Sequence, residues 1–311
     1  MTVDRLQIER TWKGLHPKVK RGVLALKENA TIKDGKVFSS TGKDVSHLVE
    51  LGPKVTPRQS WGLSAVSDLA EHEKVNGGFV LAFFNLTTTM AERFPELSQP
   101  DLARLMFIGT YVAWETNRLQ YDNGRIIRKK GLEELVDMST KRFNEFYKRL
   151  LSENIIEEQG EEIFVNPSLF YRGELKNIGY DVSHLQYTRM FRKTVRDLYS
   201  QFNSRTLKQL AIIYSVLPFL NFNTNIVCFN PEETDSDLLK PMNLENLAAL
   251  LGYQDTHKLK RALDTIKVEG KPVFWLPENV NDKRQRRIIV NTNVVYGGDA
   301  KSLAAINVLF S

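Results

Sequence analysis

The sequence predicts an α+β fold that is mainly α-helical with small β-hairpins, and in which one arrangement of helices and strands occurs twice. Three observations predict it. Apolar residues recur at helical spacing in two separate regions, and each region ends in an alternating stretch that is typical of a hairpin. The two stretches also share a motif, read as IFVNPSLFYRGE over 163–174 and as IIVNTNVVYGGD over 288–299. Ile, Val, Asn, Tyr and Gly keep the same spacing in both, which indicates a tandem repeat.

Length and composition are those of an ordinary globular protein. The chain has 311 residues, 42% of them hydrophobic and 10% aromatic, which is enough for a sizeable core. No apolar run approaches the roughly 18 residues of a membrane helix, and the N-terminus is too charged for a secretory signal. The single cysteine, Cys228, excludes a disulfide framework. We therefore expect a cytoplasmic protein with no membrane partner.

Residues 1–95 form an N-terminal region to which the sequence assigns no role. Gly and Pro punctuate short apolar segments in it, as is typical of turns and short strands. Near its end, GGFVLAFFNLTTTMAERF is a compact apolar run after a glycine pair. We expect this run to be buried.

The first repeated region covers 96–175. A helix beginning at Asp101 is predicted by apolar residues at helical spacing, and a short strand, RIIRK, follows the Asn-Gly turn. Ser139 then separates a short helix from a second one over 140–151, for which it is the predicted cap. IIEEQGEEIFVNP alternates around Gln159-Gly160 as a hairpin does. The order of helix, strand, helix, turn, helix and hairpin is that of a winged helix-turn-helix domain.

The second region, 205–300, repeats this order and is followed by a tail, 301–311. SRTLKQLAIIYSVLPFL predicts the first helix, NIVCFN the strand, and MNLENLAALLGYQDTHKLKRALDTIKVEG the helix pair. Asn243 is the predicted N-cap of the first helix of this pair, and Gly252 is its predicted C-cap. KPVFWLPENVNDKRQRRIIVN is a longer hairpin. Ile163, Val165, Ile288 and Val290 are then the inward positions of the second wing strand in two like domains.

Residues 176–204 connect the two regions and are predicted to contain a linker helix. In YTRMFRKTVRDLYSQF, Phe191, Val195, Leu198 and Phe202 line one side of such a helix. Arg189, Arg192, Lys193 and Arg196 lie elsewhere on the turn. We expect a helix that packs on one region and shows a basic face; a face that is merely solvated explains the pattern equally well.

The second helix of each pair is the predicted DNA-reading element, because this helix enters the major groove in helix-turn-helix proteins. Net charge is +6 and the pI is about 9.2, which favours an anionic partner. The candidate DNA contacts of the first helix are Lys141, Arg142, Asn144, Lys148 and Arg149. Those of the second are His257, Lys258, Lys260 and Arg261. The tip of the second wing adds Lys283, Arg284, Arg286 and Arg287. The first wing, EEQGEE, is acidic and is expected to meet protein rather than phosphate.

Searches of the sequence for catalytic, cofactor and metal sites lead to no assignment. GKVFSSTGKD has six residues between its glycines where a phosphate-binding loop needs four. The five histidines are scattered, with no pair at ligand spacing. Asp235 and Asp237 could bind a cation, but an acidic solvated loop explains them better. We expect a protein that is not an enzyme and that binds no cofactor or metal.

The run from KGLEELVDMSTKRFNEFYKRLLSENIIEE through IFVNPSLFYRGE resembles the winged-helix core of Gram-positive plasmid replication proteins of the RepL type and of related MarR-like phage proteins. The resemblance covers about residues 100–175. In that family an INP strand, an aromatic residue and RG close the wing. The paired units also resemble, in architecture, the tandem winged-helix initiators of plasmids. The resemblance implies double-stranded DNA binding without catalysis, through the helix from Thr140 to Leu151.

The leading hypothesis is a plasmid or phage replication initiator that binds repeated origin sites on double-stranded DNA and that could also contact host replication proteins. The first alternative is a phage or plasmid transcriptional repressor of the same architecture. The second is an adaptor that holds a host protein through the acidic wing and the N-terminal region. The sequence leaves open the target DNA, the choice between replication and transcription, and whether the chain forms a homodimer.

Overall fold

The computed structural model describes residues 16–34, 36–46, 57–277 and 287–310. The chain divides into two compact units, residues 1–60 and 61–311. In the first unit, helix α1 (Pro17–Asn29) precedes an antiparallel hairpin of β1 (Thr31–Lys33) and β2 (Lys36–Phe38). The second unit holds the residues that concern function.

From Pro57 the elements fall into two series that share a central order of strand, helices, a helix pair, a hairpin and an outer strand. The first series is α2 (Pro57–Val75), β3 (Phe79–Phe84), α3 (Met90–Arg93), α4 (Gln99–Gly109), α5 (Lys129–Val136), α6 (Thr140–Ser152), β4 (Ile156–Gln159), β5 (Glu162–Val165) and β6 (Phe170–Tyr171).

The second series begins with another strand and ends with a C-terminal helix. It is β7 (Gln186–Phe191), α7 (Arg192–Gln201), α8 (Leu207–Ser215), α9 (Leu244–Leu250), α10 (Thr256–Thr265), β8 (Lys267–Val268), β9 (Lys271–Pro272), β10 (Phe274–Trp275), β11 (Ile289–Val290), β12 (Val295–Tyr296) and α11 (Ala300–Asn307). We call residues 79–171 copy one and residues 186–296 copy two.

A four-stranded antiparallel sheet joins the two copies. Its strand order is β12-β7-β3-β6, so that each copy contributes one central strand and one outer strand. Leu81 lies opposite Arg189 in the central pair. Leu81 also lies opposite Tyr171 of β6, and Arg189 lies opposite Tyr296 of β12. The sheet is therefore symmetric about the pair Leu81 and Arg189.

Each copy is closed by a buried asparagine with positive φ. Asn117 (φ 55°) and Asn225 (φ 53°) adopt the left-handed conformation, which asparagine tolerates better than most residues. The Nδ2 of Asn117 donates to the carbonyl oxygens of Val165 and Phe170, both at 2.8 Å. The Nδ2 of Asn225 donates to those of Val290 and Val295, at 3.1 and 2.7 Å. The second wing strand and the outer sheet strand are thus held in the same way in both copies.

The copies share one hydrophobic core, in which α4 packs against α8. The ring of Phe170 stacks on that of Tyr214, with centroids 5.8 Å apart. A Cβ atom at Gly109 would lie 2.7 Å from the Phe170 ring, so the end of α4 must be glycine for the two to pack. Aromatic burial of this kind is a main source of stability.

Several predictions from the sequence are confirmed. Helices and small antiparallel sheets are both present, and the helix predicted over 140–151 is present as α6. The apolar run that follows the glycine pair contains β3, whose residues from Val80 to Phe84 are buried. The inward wing positions are also buried: Ile163, Val165, Ile288 and Val290 are 0 to 2% exposed.

The predicted linker helix differs from the structure in its first half. Residues 186–191 form strand β7, and the helix begins only at Arg192. Pairing with β3 on one side and β12 on the other fixes this segment as a strand, because cross-strand packing outweighs the weak helical pattern of a short segment. The boundaries predicted at 96 and 205 leave β3 and β7 outside the repeated regions, although these strands form the centre of the sheet.

The expected basic face of that helix is only partly solvated: Lys193 is exposed, whereas two of the arginines are not. Arg192 is 6% exposed, and the Arg196 side chain is 16% exposed. Both guanidinium groups pair with Asp122 of copy one. For these two arginines the prediction was wrong, because a helical pattern shows which residues share a side but not which carboxylate faces them.

Candidate nucleic-acid interface

Helix α6 separates an apolar face from a basic one. Ser139, the predicted cap, precedes it with the extended backbone (φ −65°, ψ 144°) that is usual for an N-cap residue, but its side chain makes no capping hydrogen bond. Phe143, Phe146, Tyr147 and Leu150 are 0 to 1% exposed and attach the helix to the core. The predicted contacts Lys141, Arg142, Asn144 and Lys148 are exposed. The chain thus anchors one side of α6 and presents the other to solvent.

Arg149 differs from the other candidate residues of α6. Its Nη2 donates to Oδ2 of Asp101 at 2.9 Å, and its side chain is 31% exposed. Asp101 is 2% exposed and accepts a second bond, at 3.1 Å, from Nη1 of Arg104. A buried carboxylate requires such partners. Arg149 therefore holds α6 against α4, and less of its charge is directed to solvent.

Helix α10 has the same division of faces in copy two. Oδ1 of Asp255 accepts from the backbone N–H of His257 at 2.8 Å and caps the helix. Leu259, Ala262 and Leu263 are buried. The predicted contacts of this helix are all exposed: His257, Lys258, Lys260 and Arg261. With the exception of Arg149, both second helices therefore carry their predicted residues on the surface.

The exposed rows of α6 and α10 match in position but differ in chemistry. Because Phe143 and Leu259 occupy equivalent places, Arg142 corresponds to Lys258 and Asn144 to Lys260. One position further, copy one has Glu145 where copy two has Arg261. The exposed row of α6 thus combines charged side chains with an amide, whereas the exposed row of α10 is more uniformly positive.

The hairpin of copy one exposes its acidic residues. In copy one the hairpin of β4 and β5 has its tip at Gly160, and Glu157, Glu158 and Glu161 are exposed. The hydroxyl of Tyr147 donates to Oε1 of Glu158 at 2.6 Å. Burial, together with this bond, raises the pKa of Tyr147, so the phenol stays protonated. This wing presents carboxylates outward.

The hairpin of copy two pairs Phe274 with Val290 and Trp275 with Ile289. Its tip, residues 278–286, lies outside the described residues. The predicted contacts Lys283, Arg284 and Arg286 fall in that segment. Arg287, the remaining wing candidate, is partly buried.

A second basic cluster, which the sequence did not predict, surrounds Asp122. Nε of Arg192 and Nη2 of Arg196 both donate to the carbonyl oxygen of Thr110, at 2.8 and 2.7 Å. Burial acts to raise the pKa of Asp122, but the hydrogen bonds and charges of Arg196 and Arg192 outweigh it and hold that pKa below its usual value. Arg172, in the repeated motif, adds a third guanidinium: burial lowers its pKa, and the charge of Arg192 lowers it further.

Two further observations concern metal binding and membrane insertion. Among the residues that the structure describes, no three His, Cys, Asp or Glu side chains are grouped as metal ligands would be. Within the same residues, no helix has both the length and the apolar character needed to cross a membrane.

Comparison with known proteins gives no assignment. No protein-family model, no curated protein and no solved structure matches this chain.

Proposed function

We propose that the chain is a sequence-specific double-stranded DNA-binding protein built from two winged helix-turn-helix modules, in which α6 and α10 enter successive major grooves. The observation that carries the proposal is the exposure of a basic row on the second helix of both copies. An α-helix fits the major groove, where side chains near its N-terminus meet base edges. Lys141, Arg142, His257 and Lys258 lie in those first turns.

Electrostatics favours a nucleic acid over other anionic partners. The exposed cations of α6 and α10 are spaced along two rods rather than gathered in one pocket, as suits a repeating phosphate backbone. Phosphate contacts would fix register and orientation, and the residues nearest the helix starts would read sequence. Arg142, with its planar donor fork, and Asn144, with its amide, have the chemistry for bidentate base contacts.

Within DNA-binding proteins, the chain is proposed to be a plasmid or phage replication initiator. The support is the resemblance of residues 100–175 to replication proteins of the RepL type, together with the presence of two copies, which suits repeated origin sites. A transcriptional repressor of the same architecture is the alternative. Footprints over repeated sites inside a minimal replicon favour initiation, whereas footprints confined to a promoter favour repression.

The acidic wing of copy one supports a role beside DNA binding. Glu157, Glu158 and Glu161 would be repelled by phosphates, so this wing is proposed to contact a protein, such as a host replication protein, while α6 and α10 hold DNA. If the chain is instead only an adaptor, its binding will survive high salt.

The proposal is tested by selecting bound fragments from random genomic DNA and titrating the selected site at several salt concentrations. If about six side chains meet phosphates, log K should fall against log[salt] with a slope of about −5. Recovery of one motif with such a slope supports the proposal. Recovery of unrelated fragments, or an affinity that does not change with salt, contradicts it.

A further inference from the structure

The central sheet relates the two copies by an approximate two-fold axis. Leu81 and Arg189 lie opposite each other at its centre and occupy equivalent places in their own copies, since each lies opposite the motif tyrosine of the outer strand, Tyr171 or Tyr296. Antiparallel neighbours that are each other's equivalents are exchanged by a half-turn perpendicular to the sheet. The packing of α4 against its equivalent, α8, is the contact that the same half-turn requires.

The DNA-reading helices follow this axis, because each is fixed to its own copy in the same way. The backbone N–H of Asn166 donates to the carbonyl of Ile155 at 2.9 Å, where the chain leaves α6 and enters the wing. In copy two, the N–H of Asn291 donates to the carbonyl of Val273 at 2.8 Å. With the asparagine closures at 117 and 225, these contacts hold the hairpins of the two copies equivalently, although the short β8–β9 hairpin is inserted between α10 and Val273. Each of α6 and α10 precedes its hairpin and buries its apolar face in the shared core, so the same half-turn relates the two helices.

We infer that the target of a single chain is an inverted pair of half-sites, an imperfect palindrome, and not two half-sites in the same orientation. This inference rests on the proposed DNA binding. A B-form duplex has two-fold axes perpendicular to its length, and a two-fold protein places its reading helices on the two strands in opposite directions. Direct repeats would require the copies to be related by translation, which the antiparallel pairing of β3 with β7 forbids.

The relative orientation of the two copies is fixed by contacts between them. β3 and β7 are paired over six residues, from Phe79 opposite Phe191 to Phe84 opposite Gln186. Arg192 and Arg196, which follow β7, bind the carbonyl of Thr110 in copy one. A change from inverted to direct reading would have to break both sets of contacts, so the orientation is a property of the folded chain.

The two half-sites differ in sequence. Copy one offers Arg142, Asn144 and Glu145 where copy two offers Lys258, Lys260 and Arg261. An amide and a carboxylate select bases by donor and acceptor pattern, whereas Lys and Arg prefer guanine. The half-site under α10 is therefore the richer in guanine, and one chain binds its site in a single direction.

The test uses the full chain and three synthetic duplexes derived from the selected motif. One keeps both halves as selected, one reverses the half-site under α10, and one replaces that half by random sequence; each is made with spacers up to about one and a half helical turns. We expect the reversed duplex to bind about as weakly as the randomised one at every spacer, at least tenfold below the selected site. Equal or tighter binding of a direct arrangement overturns the inverted orientation and leaves DNA binding intact. Absence of binding to every duplex overturns both.

A second readout maps each helix on the site. A DNA-cleaving iron chelate is attached to Thr140→Cys or to Thr256→Cys, the first residues of α6 and α10, which are not among the predicted contacts; the parent chain, whose Cys228 is buried, is the control. Cleavage patterns from the two variants should fall in opposite halves and mirror each other about the centre of the site. Patterns displaced along the duplex in the same sense would contradict the inference.

Discussion

At the residue scale, the repeat depends on two buried asparagines that bind equivalent carbonyl groups. Asn117 and Asn225 each donate twice from one amide, to the wing strand and to the outer sheet strand. A hydrophobic side chain cannot donate these hydrogen bonds. The residues that carry the acceptor carbonyl groups are buried, so water does not replace the missing donor. The pair therefore connects the wing to the sheet in each copy.

We predict that Asn117→Ala and Asn225→Ala each lower the free energy of unfolding by about 2 to 4 kcal/mol, because two buried acceptors lose their donor. Urea unfolding monitored by circular dichroism measures the change. Asn117→Gly separates the lost bonds from the strain of a Cβ at positive φ and should remain destabilised. The exposed Asn144→Ala is the matched control and should stay within about 0.5 kcal/mol of the parent. A mild effect at both buried sites would show that the closure does not hold the wing.

At the element scale, the helical pattern predicted α6 and α10 well because each has one continuous apolar face. Helical spacing alone places Phe143, Phe146 and Leu150 on one side of α6, and that side is the one that packs on the core. The strand at 186–191 could not be predicted in the same way, since its partners are β3, more than a hundred residues earlier, and β12, about a hundred residues later. For the same reason, the sequence could not show that Arg149 turns back to Asp101.

The outward row of α6 should separate into residues that bind DNA and a residue that supports the fold. We predict that Arg142→Ala leaves the free energy of unfolding within about 0.5 kcal/mol but changes which bases are preferred in one half-site. Arg149→Ala should cost about 1 to 2 kcal/mol, because buried Asp101 loses a charged partner. Thermal unfolding and binding to a panel of single-base variants provide the two readouts. A destabilised Arg142→Ala paired with a stable Arg149→Ala would reverse the assignment.

Helix α7 is joined to copy one through the carboxylate of Asp122. Its pKa is lowered in the folded state, so its stabilising effect is complete above its unfolded pKa of 3.8 and is lost as pH falls through the folded value. We predict that Asp122→Asn lowers the free energy of unfolding at pH 7 by about 0.5 to 1 kcal/mol: buried Arg192 loses its counter-charge, but the Asp122 side chain is 60% exposed and solvent screens the pair. The difference from the parent should shrink as pH approaches 3. Asp197→Asn, exposed on the same helix, is the control; a difference that persists unchanged at acid pH would rule out the ion pair as its cause.

At the scale of the whole molecule, the two copies belong to one compact unit and are not two tethered modules. They share a sheet and a core. If α6 and α10 read DNA as proposed, both helices would be positioned before DNA is met, and little ordering entropy would oppose the second contact. The motif that recurs at 163 and 288 predicted the duplication. The symmetry was not predictable, because it depends on which strands pair.

The most direct test of the central claim is the salt dependence of binding to the selected site for a chain with both basic rows neutralised. The variant combines Lys141→Ala, Arg142→Ala, Lys258→Ala and Lys260→Ala; the control combines Arg205→Ala with Lys208→Ala, exposed residues outside both helices. The account predicts that the slope of log K against log[salt] becomes shallower by about 2 to 4 for the variant, with sequence preference lost, and stays near the parent value for the control. A parent-like slope and preference in the variant would contradict the account.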